Sequence, residues 1–155
     1  MADRDQFTEY PSNSDLDPIW QKMLERALRE IDQAYAPYSH FKVVAVGRTA
    51  QGKILTGTNQ ENSSFQAGIC AERNLVYHAM HEDPDLHMER LLIYTSAEFA
   101  RPQSVIAPCG ICRQTLAELE FKQEAPIEVL FPGENGSWIL SRRMEDLLPF
   151  AFRLK

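Results

Sequence analysis

The sequence predicts a mixed α/β domain, a sheet covered by helices, on three observations. An amphipathic helical pattern comes first, a hairpin pattern follows it, and helix and strand patterns then alternate towards the C-terminus. Early antiparallel pairing followed by helix–strand units puts strands of both orientations into one sheet. At 155 residues the chain has the size of one ordinary domain and can bury most of the apolar surface it would expose unfolded. No internal repeat or linker interrupts it, so a single domain is expected over residues 18–155.

Residues 1–17 are polar, carry Ser, Asn, Asp and Pro without apolar periodicity, and are expected to form a mobile or loosely docked arm. From Pro18 onward, Ile19, Met23, Leu24, Ala27, Leu28 and Ile31 recur at helical spacing, with Asp17 as N-cap and Pro18 as first helical residue. This helix ends before Pro37. Residues 41–46 are rich in β-branched side chains, Gln51 and Gly52 read as a turn, and residues 53–57 resume an extended pattern, which together make a hairpin. Residues 68–81 place Ile69, Leu75, Val76, Ala79 and Met80 at helical spacing, and residues 90–95 read as a buried strand. A helix over 110–119, strands over 127–131 and 138–140, and a short helix over 144–148 complete the chain.

Composition narrows the function classes. With 44% hydrophobic, 25% charged and 10% aromatic residues, the chain sits in the globular range. A formal net charge of -6, and no Lys/Arg run interleaved with aromatics, disfavour long nucleic acid as a partner. No stretch approaches the roughly 20 apolar residues that cross a bilayer, and the acidic start Met1-Ala2-Asp3-Arg4-Asp5 lacks the basic and apolar regions of a signal peptide. A cytoplasmic protein without a membrane partner is expected. Three cysteines cannot all pair within one chain, and a reducing compartment keeps them as thiols available to metal.

Cys109 and Cys112 stand three apart after Pro108, where a loop enters a helix, and Cys70 opens an earlier helix. Helix N-termini favour thiolate, the form that binds zinc. Structural zinc sites are closed by four protein ligands, whereas catalytic ones keep a position open beside three. A fourth ligand would have to come from His40, His78, His81, His87 or a carboxylate, and none has a recognised spacing to both cysteine groups. The competing reading is a redox dithiol at Cys109 and Cys112, with Cys70 as a core thiol. Glu72 speaks against it: metal-assisted hydrolysis needs a nearby base to move protons, and thiol exchange does not. Glu72 also fits as an acidic partner of the helix dipole. Three thiolates leave a zinc site with net negative charge, and Arg73 and Arg113, each close behind a ligand, can withdraw it by donating to sulfur. Either arginine alone also reads as an ordinary surface residue.

Cys70-Ala71-Glu72-Arg73 together with Pro108-Cys109-Gly110-Ile111-Cys112-Arg113-Gln114 resembles the signature of the zinc-dependent cytidine deaminases. The segment Ala36-Pro37-Tyr38-Ser39-His40-Phe41 is similar to that family's Pro-Tyr-Ser stretch, and Asn59-Gln60-Glu61-Asn62 to its Asn-x-Glu-Asn segment; the matches run from Tyr35 to Leu148. The resemblance implies a three-layer α-β-α sandwich around a mixed five-stranded sheet. It implies one Zn²⁺ per chain held by Cys70, Cys109 and Cys112, with Glu72 as proton shuttle and Arg73 and Arg113 behind the ligands. Asn59 and Glu61 would hydrogen-bond the sugar hydroxyls, while Phe41 and Ala71 contact the nucleoside. The implied reaction is hydrolytic deamination of cytidine and 2'-deoxycytidine in pyrimidine salvage: water attacks C4, and Glu72 protonates N3 and helps ammonia depart. A homotetramer is implied too, with Phe65, Phe150 or Phe152 reaching a neighbour's site. Another aminated pyrimidine, such as a blasticidin-type nucleoside, and a non-catalytic zinc module are the alternatives. Two departures stand out: Val43-Val44-Ala45-Val46 brings bulk where the family has Val-Gly-Ala-Ala, and Phe65 stands where Tyr is frequent.

Overall fold

The computed structural model describes residues 6–96 and 104–154. In chain order its elements are β1 (Phe7–Tyr10), α1 (Pro18–Glu30), β2 (Val43–Thr49), β3 (Ile54–Thr58), α2 (Ala71–Glu82) and β4 (Met88–Thr95). They are followed by α3 (Gly110–Gln123), β5 (Glu128–Pro132), β6 (Trp138–Ser141) and α4 (Met144–Leu147). The sheet runs β1-β6-β5-β4-β2-β3, with β4 and β5 parallel and the other pairs antiparallel. α3 supplies the crossover that a parallel pair requires.

Local chemistry accounts for most boundaries. Asp17 Oδ1 accepts from the amides of Ile19 at 2.9 Å and Trp20 at 3.0 Å, and Pro18 occupies the first helical position, so α1 starts where expected. Gly52 turns the β2–β3 hairpin at φ +82°, a conformation open to glycine. α2 starts at Ala71, later than the pattern over 68–81 suggests, because the amides of Gln60 and Ile69 pair with each other's carbonyls at 3.0 and 2.9 Å. That bridge keeps residue 69 extended and makes Cys70 the N-cap. α3 runs on to Gln123, whose side-chain amide holds both the N–H and the C=O of Met88 at 3.0 and 2.8 Å and so begins β4 two residues early.

The structure corrects two expectations. The sheet has six strands, not five, among the described residues, and the extra one comes from the segment read as a mobile arm. β1 pairs with β6 in the register Phe7↔Ser141 to Tyr10↔Trp138, Asn13 Oδ1 accepts from Trp138 Nε1 at 2.7 Å, and Leu16 is 3% exposed. A single edge strand takes its order from backbone pairing, which leaves little pattern in four residues.

Side-chain alternation divides the core into two layers. Val44, Val46, Leu92, Leu130 and Leu140 pack with Trp20, Met23, Leu24 and Ala27 of α1. Ala45, Leu91, Ile93, Val129 and Phe131 face the other way, onto α2, α3 and α4. This is the three-layer sandwich, and it resolves the bulky departure in β2. Val44 and Val46 fill the α1 side, while Val43 and the small Ala45 face the side of the cysteine-bearing helices. β3 and α2 touch backbone to backbone: a Cβ at Gly57 would lie 2.6 Å from Leu75 N and 2.8 Å from Ala71 O.

Candidate active site

Cys70 and Cys109 are the N-caps of α2 and α3, and Cys112 lies in the first turn of α3. Neither capping cysteine uses its side chain to cap, and the positive ends of both helix dipoles lie at the cluster. Cys70 Sγ and Cys109 Sγ are 3.8 Å apart, Cys109 Sγ and Cys112 Sγ 3.4 Å, and all three lie within 4.8 Å of one another. Tetrahedral ligation at ~2.3 Å would separate sulfurs by about 3.8 Å, so three free thiols at these distances fit a zinc ion. At these separations no disulfide joins them, since bonded sulfurs lie at about 2.05 Å. Asn74 Nδ2 donates to Thr58 O at 2.9 Å and Tyr77 OH meets Thr115 Oγ1 at 3.3 Å, which ties α2 to β3 and to α3 and sets the distance between the two caps.

The charges point the same way. The Cys112 thiol, followed by that of Cys109 and the Arg73 guanidinium, stabilises charge on Cys70 and brings its pKa down to about 6 against the burial that opposes it. Cys112 is pushed the other way, chiefly because it donates to Cys70 and is buried. Without a cation the cluster holds its first negative charge easily and resists more; a divalent cation removes that resistance. Glu72, 5% exposed, sits beside Cys70 and Cys112, and burial together with the Cys70 charge raises its pKa against the pull of its own amide. That is a carboxyl prepared to carry a proton.

The two arginines divide. Arg73 sits beside Cys70, reaches Gly68 O at 3.4 Å, and its Nε is buried without a partner among the described residues. Arg113 donates Nε to Pro108 O at 2.8 Å and Nη1 to Leu147 O at 3.0 Å. Its guanidinium holds the Cys109 loop against the end of α4.

Above Cys70 opens a cleft of about 640 Å³, in the ~300–1,000 Å³ range of small-molecule sites. Asn59, Glu61, Phe65, Arg73 and Ile111 line it, with Tyr38 and Ser39. Asn59 Oδ1 accepts from Val43 N and Nδ2 donates to Phe41 O, both at 2.8 Å, so this residue and Phe41 are joined at the mouth of β2. Glu61 accepts from Tyr38 N at 2.9 Å, from Ser39 N at 3.2 Å and from the Ser39 hydroxyl. Ala71 is fully buried at the first position of α2. Phe65, 79% exposed, meets Tyr38 edge to face at 5.9 Å. Phe150 is 97% exposed, whereas the backbone of Phe152 is held in both directions by the side-chain amide of Gln114, at 3.0 and 2.8 Å. Ser39 and Gln114 lie within the motifs that carry the resemblance, which assigns neither a role. The signal for Ser39 is local, a hydroxyl accepting from the amide two residues on; the contact of Gln114 is with a residue 38 positions away and leaves none.

This fold and donor set belong to the zinc-binding deaminases. A family model described as "Cytidine and deoxycytidylate deaminase zinc-binding region" matches residues 19–125, and the chain belongs to that family. It is 35% identical over 144 residues to the cytidine deaminase of Mycobacterium tuberculosis strain H37Rv, covering 89% of this chain and 92% of that one. To the cytidine deaminase of Halalkalibacterium halodurans it is 32% identical over 133 residues, 85% and 92% of the two chains. The solved cytidine deaminase of Burkholderia pseudomallei superposes with a TM-score of 0.71 at 34% identity, covering 85% of this chain and 98% of that one. That of M. tuberculosis gives 0.68 at 32%, covering 90% and 99%.

Proposed function

We propose that this chain hydrolyses cytidine and 2'-deoxycytidine to uridine and 2'-deoxyuridine with release of ammonia, a cytoplasmic step of pyrimidine salvage. The observation that carries it is a buried Glu72 carboxyl, its pKa raised by that burial, beside three convergent sulfurs and beneath a cleft of nucleoside size. Cys70, Cys109 and Cys112 would hold one Zn²⁺ per chain, which when bound supplies Lewis acidity towards water. Glu72 takes a proton from the attacking water and delivers it to N3 as the C4–O bond forms. It then takes the proton of the new C4 hydroxyl and passes it to the amino group, so that the C4–N bond breaks as the C4 carbonyl forms. Burial of Glu72 raises the energy of its ionised state, which strengthens it as the base that takes the proton from water. Asn59 and Glu61 receive the sugar hydroxyls, and Phe41 and Ala71 border the base.

The active unit is a homotetramer. Its support is the row of apolar side chains left uncovered around the cleft and tail, Phe65, Ile111, Phe150 and Phe152. Phe150 or Phe152 of one copy would complete the cleft of another. No helix among the described residues is long and apolar enough to cross a membrane. The test is the ultraviolet absorbance of cytidine incubated with zinc-loaded protein, read beside ammonia release and metal content. Loss of cytidine with an equal amount of ammonia is expected, and untouched cytidine overturns the substrate assignment.

A further inference from the structure

The carboxylate of Glu61 reaches the cleft already fastened. Residues 36–40 make one closed turn, in which His40 N donates to Ala36 O at 3.0 Å and His40 adopts a left-handed φ of 57°. The turn aims the successive amides of Tyr38 and Ser39 at Glu61 Oε2, and the Ser39 hydroxyl at Oε1. From the far side, Glu61 N donates to Tyr35 O at 2.8 Å, so the segment is held at both backbone and side chain. The same Ser39 oxygen accepts from Phe41 N at 3.0 Å. One hydroxyl therefore links the residue expected at the sugar to the residue expected at the base.

An ionised carboxylate has about four acceptor positions. Tyr38 and Ser39 amides fill both positions on Oε2, and the Ser39 hydroxyl fills one on Oε1. A single position on Oε1 is left, in a side chain that lines the cleft. Ser39, ahead of the Tyr38 and Ser39 amides and the nearby His40 charge, also holds the Glu61 carboxyl below its ordinary range against desolvation. At neutral pH it can only accept.

We infer that Ser39 is a positioning residue for sugar recognition: its hydroxyl fixes Glu61 so that one Oε1 acceptor remains for one hydroxyl donor of the nucleoside. This rests on the reading of Glu61 as the sugar acceptor and adds the residue that makes that acceptor selective. Because cytidine and 2'-deoxycytidine are both substrates in that reading, the hydroxyl demanded is not the one at the 2' position, and we take it to be the one at the 3' position. A carboxylate fastened beforehand loses little freedom when the ligand binds. An analogue without the hydroxyl leaves Oε1 unpaired once the nucleoside covers it.

The experiment compares cytidine with 3'-deoxycytidine on zinc-loaded wild type, Ser39→Ala, Ser39→Thr and Glu61→Gln. For Ser39→Ala, KM for cytidine should rise about tenfold with kcat within about twofold, and the preference for cytidine over 3'-deoxycytidine should shrink about tenfold. Ser39→Thr, which keeps the hydroxyl, should restore both. A turn that is merely loosened raises KM for both nucleosides alike; an unchanged preference in Ser39→Ala therefore overturns the inference. If Glu61→Gln abolishes the preference while Ser39→Ala retains it, only the role of Ser39 falls. If Glu61→Gln itself leaves the preference intact, the sugar role of Glu61 fails and the inference with it. Should Ser39→Ala not fold, Ser39→Thr and Ser39→Val, equal in shape and different in the hydroxyl, carry the same comparison.

Discussion

The floor of the cleft and its rim are built by opposite means. Cys70, Glu72, Cys109 and Cys112 stand at the starts of two helices packed on the core, and the electrostatics of Cys70, Cys112 and Glu72 are set by burial and by their neighbours. Asn59, Glu61 and Ser39 stand on loops, and each is held by hydrogen bonds between its side chain and backbone amides or carbonyls. The difference teaches where each kind of specificity is stored. Proton transfer needs groups whose pKa burial can shift, whereas sugar recognition needs donors and acceptors already oriented.

The sharpest way to break this division is Glu72→Gln. It should lower kcat by roughly 10²–10⁴ with zinc content and KM little changed, since only proton transfer is lost. Retained turnover in a steady-state assay refutes the floor as the seat of chemistry. Next comes Gly57→Ala, which drives a methyl into the backbone of α2 at Leu75 and Ala71. Stability should fall by about 3 kcal/mol, read by urea unfolding, and turnover should drop with it because Cys70 and Glu72 ride on that helix. Full stability in this variant would mean the floor is less rigid than its contacts indicate.

Removing the metal sharpens the same contrast. In metal-free protein Cys70, with its pKa down at about 6, should be alkylated by iodoacetamide ahead of Cys112 at pH 7. The rate should fall about tenfold between pH 7 and pH 5 as the thiolate is protonated, and zinc should protect it. Equal labelling of the two thiols would show that the cluster does not share charge as described. On the rim, Asn59→Ala removes the bridge between Val43 N and Phe41 O and should raise KM several-fold, with a stability loss of about 1–2 kcal/mol. A fall in kcat at unchanged KM would contradict the division.

The smallest effect belongs to a residue in neither region. Asp17 caps α1 and pairs with Arg90 at 2.8 Å; although burial raises its pKa, the Trp20 amide and Arg90 bring it below its ordinary 3.8. A depressed carboxyl stabilises the fold above its unfolded pKa and loses that contribution as pH falls through the folded value. Asp17→Ala should therefore destabilise by about 1 kcal/mol at neutral pH, and the gap to wild type should narrow below about pH 4. Thermal melts across that range are the check, with deaminase constants unchanged.

How much could be read in advance follows the same line. Cys70, Glu72, Cys109 and Cys112 are legible as candidates because residue type and short spacing at helix starts carry the resemblance to the zinc-dependent deaminases. The α/β class was legible because period and composition report which face of each element is buried. Alternation also contained the answer for Val44, but only the sheet decided that its bulk falls on the α1 side, away from the cysteines. What escaped was long-range. β1 owes its existence to pairing with β6 across most of the chain, Gln114 to a partner at Phe152, and Glu61 to the turn at 36–40.

By itself, then, the sequence determined the fold class and, through its family resemblance, singled out three cysteines and Glu72 as the candidate site, since each depends on local pattern and intrinsic chemistry. Tertiary structure decided that three sulfurs from two helices meet within 4.8 Å, that the arm becomes a strand, and that Glu61 is fastened before any ligand arrives. Those outcomes depend on distances between residues far apart in the chain, which only the packed sheet and helices set.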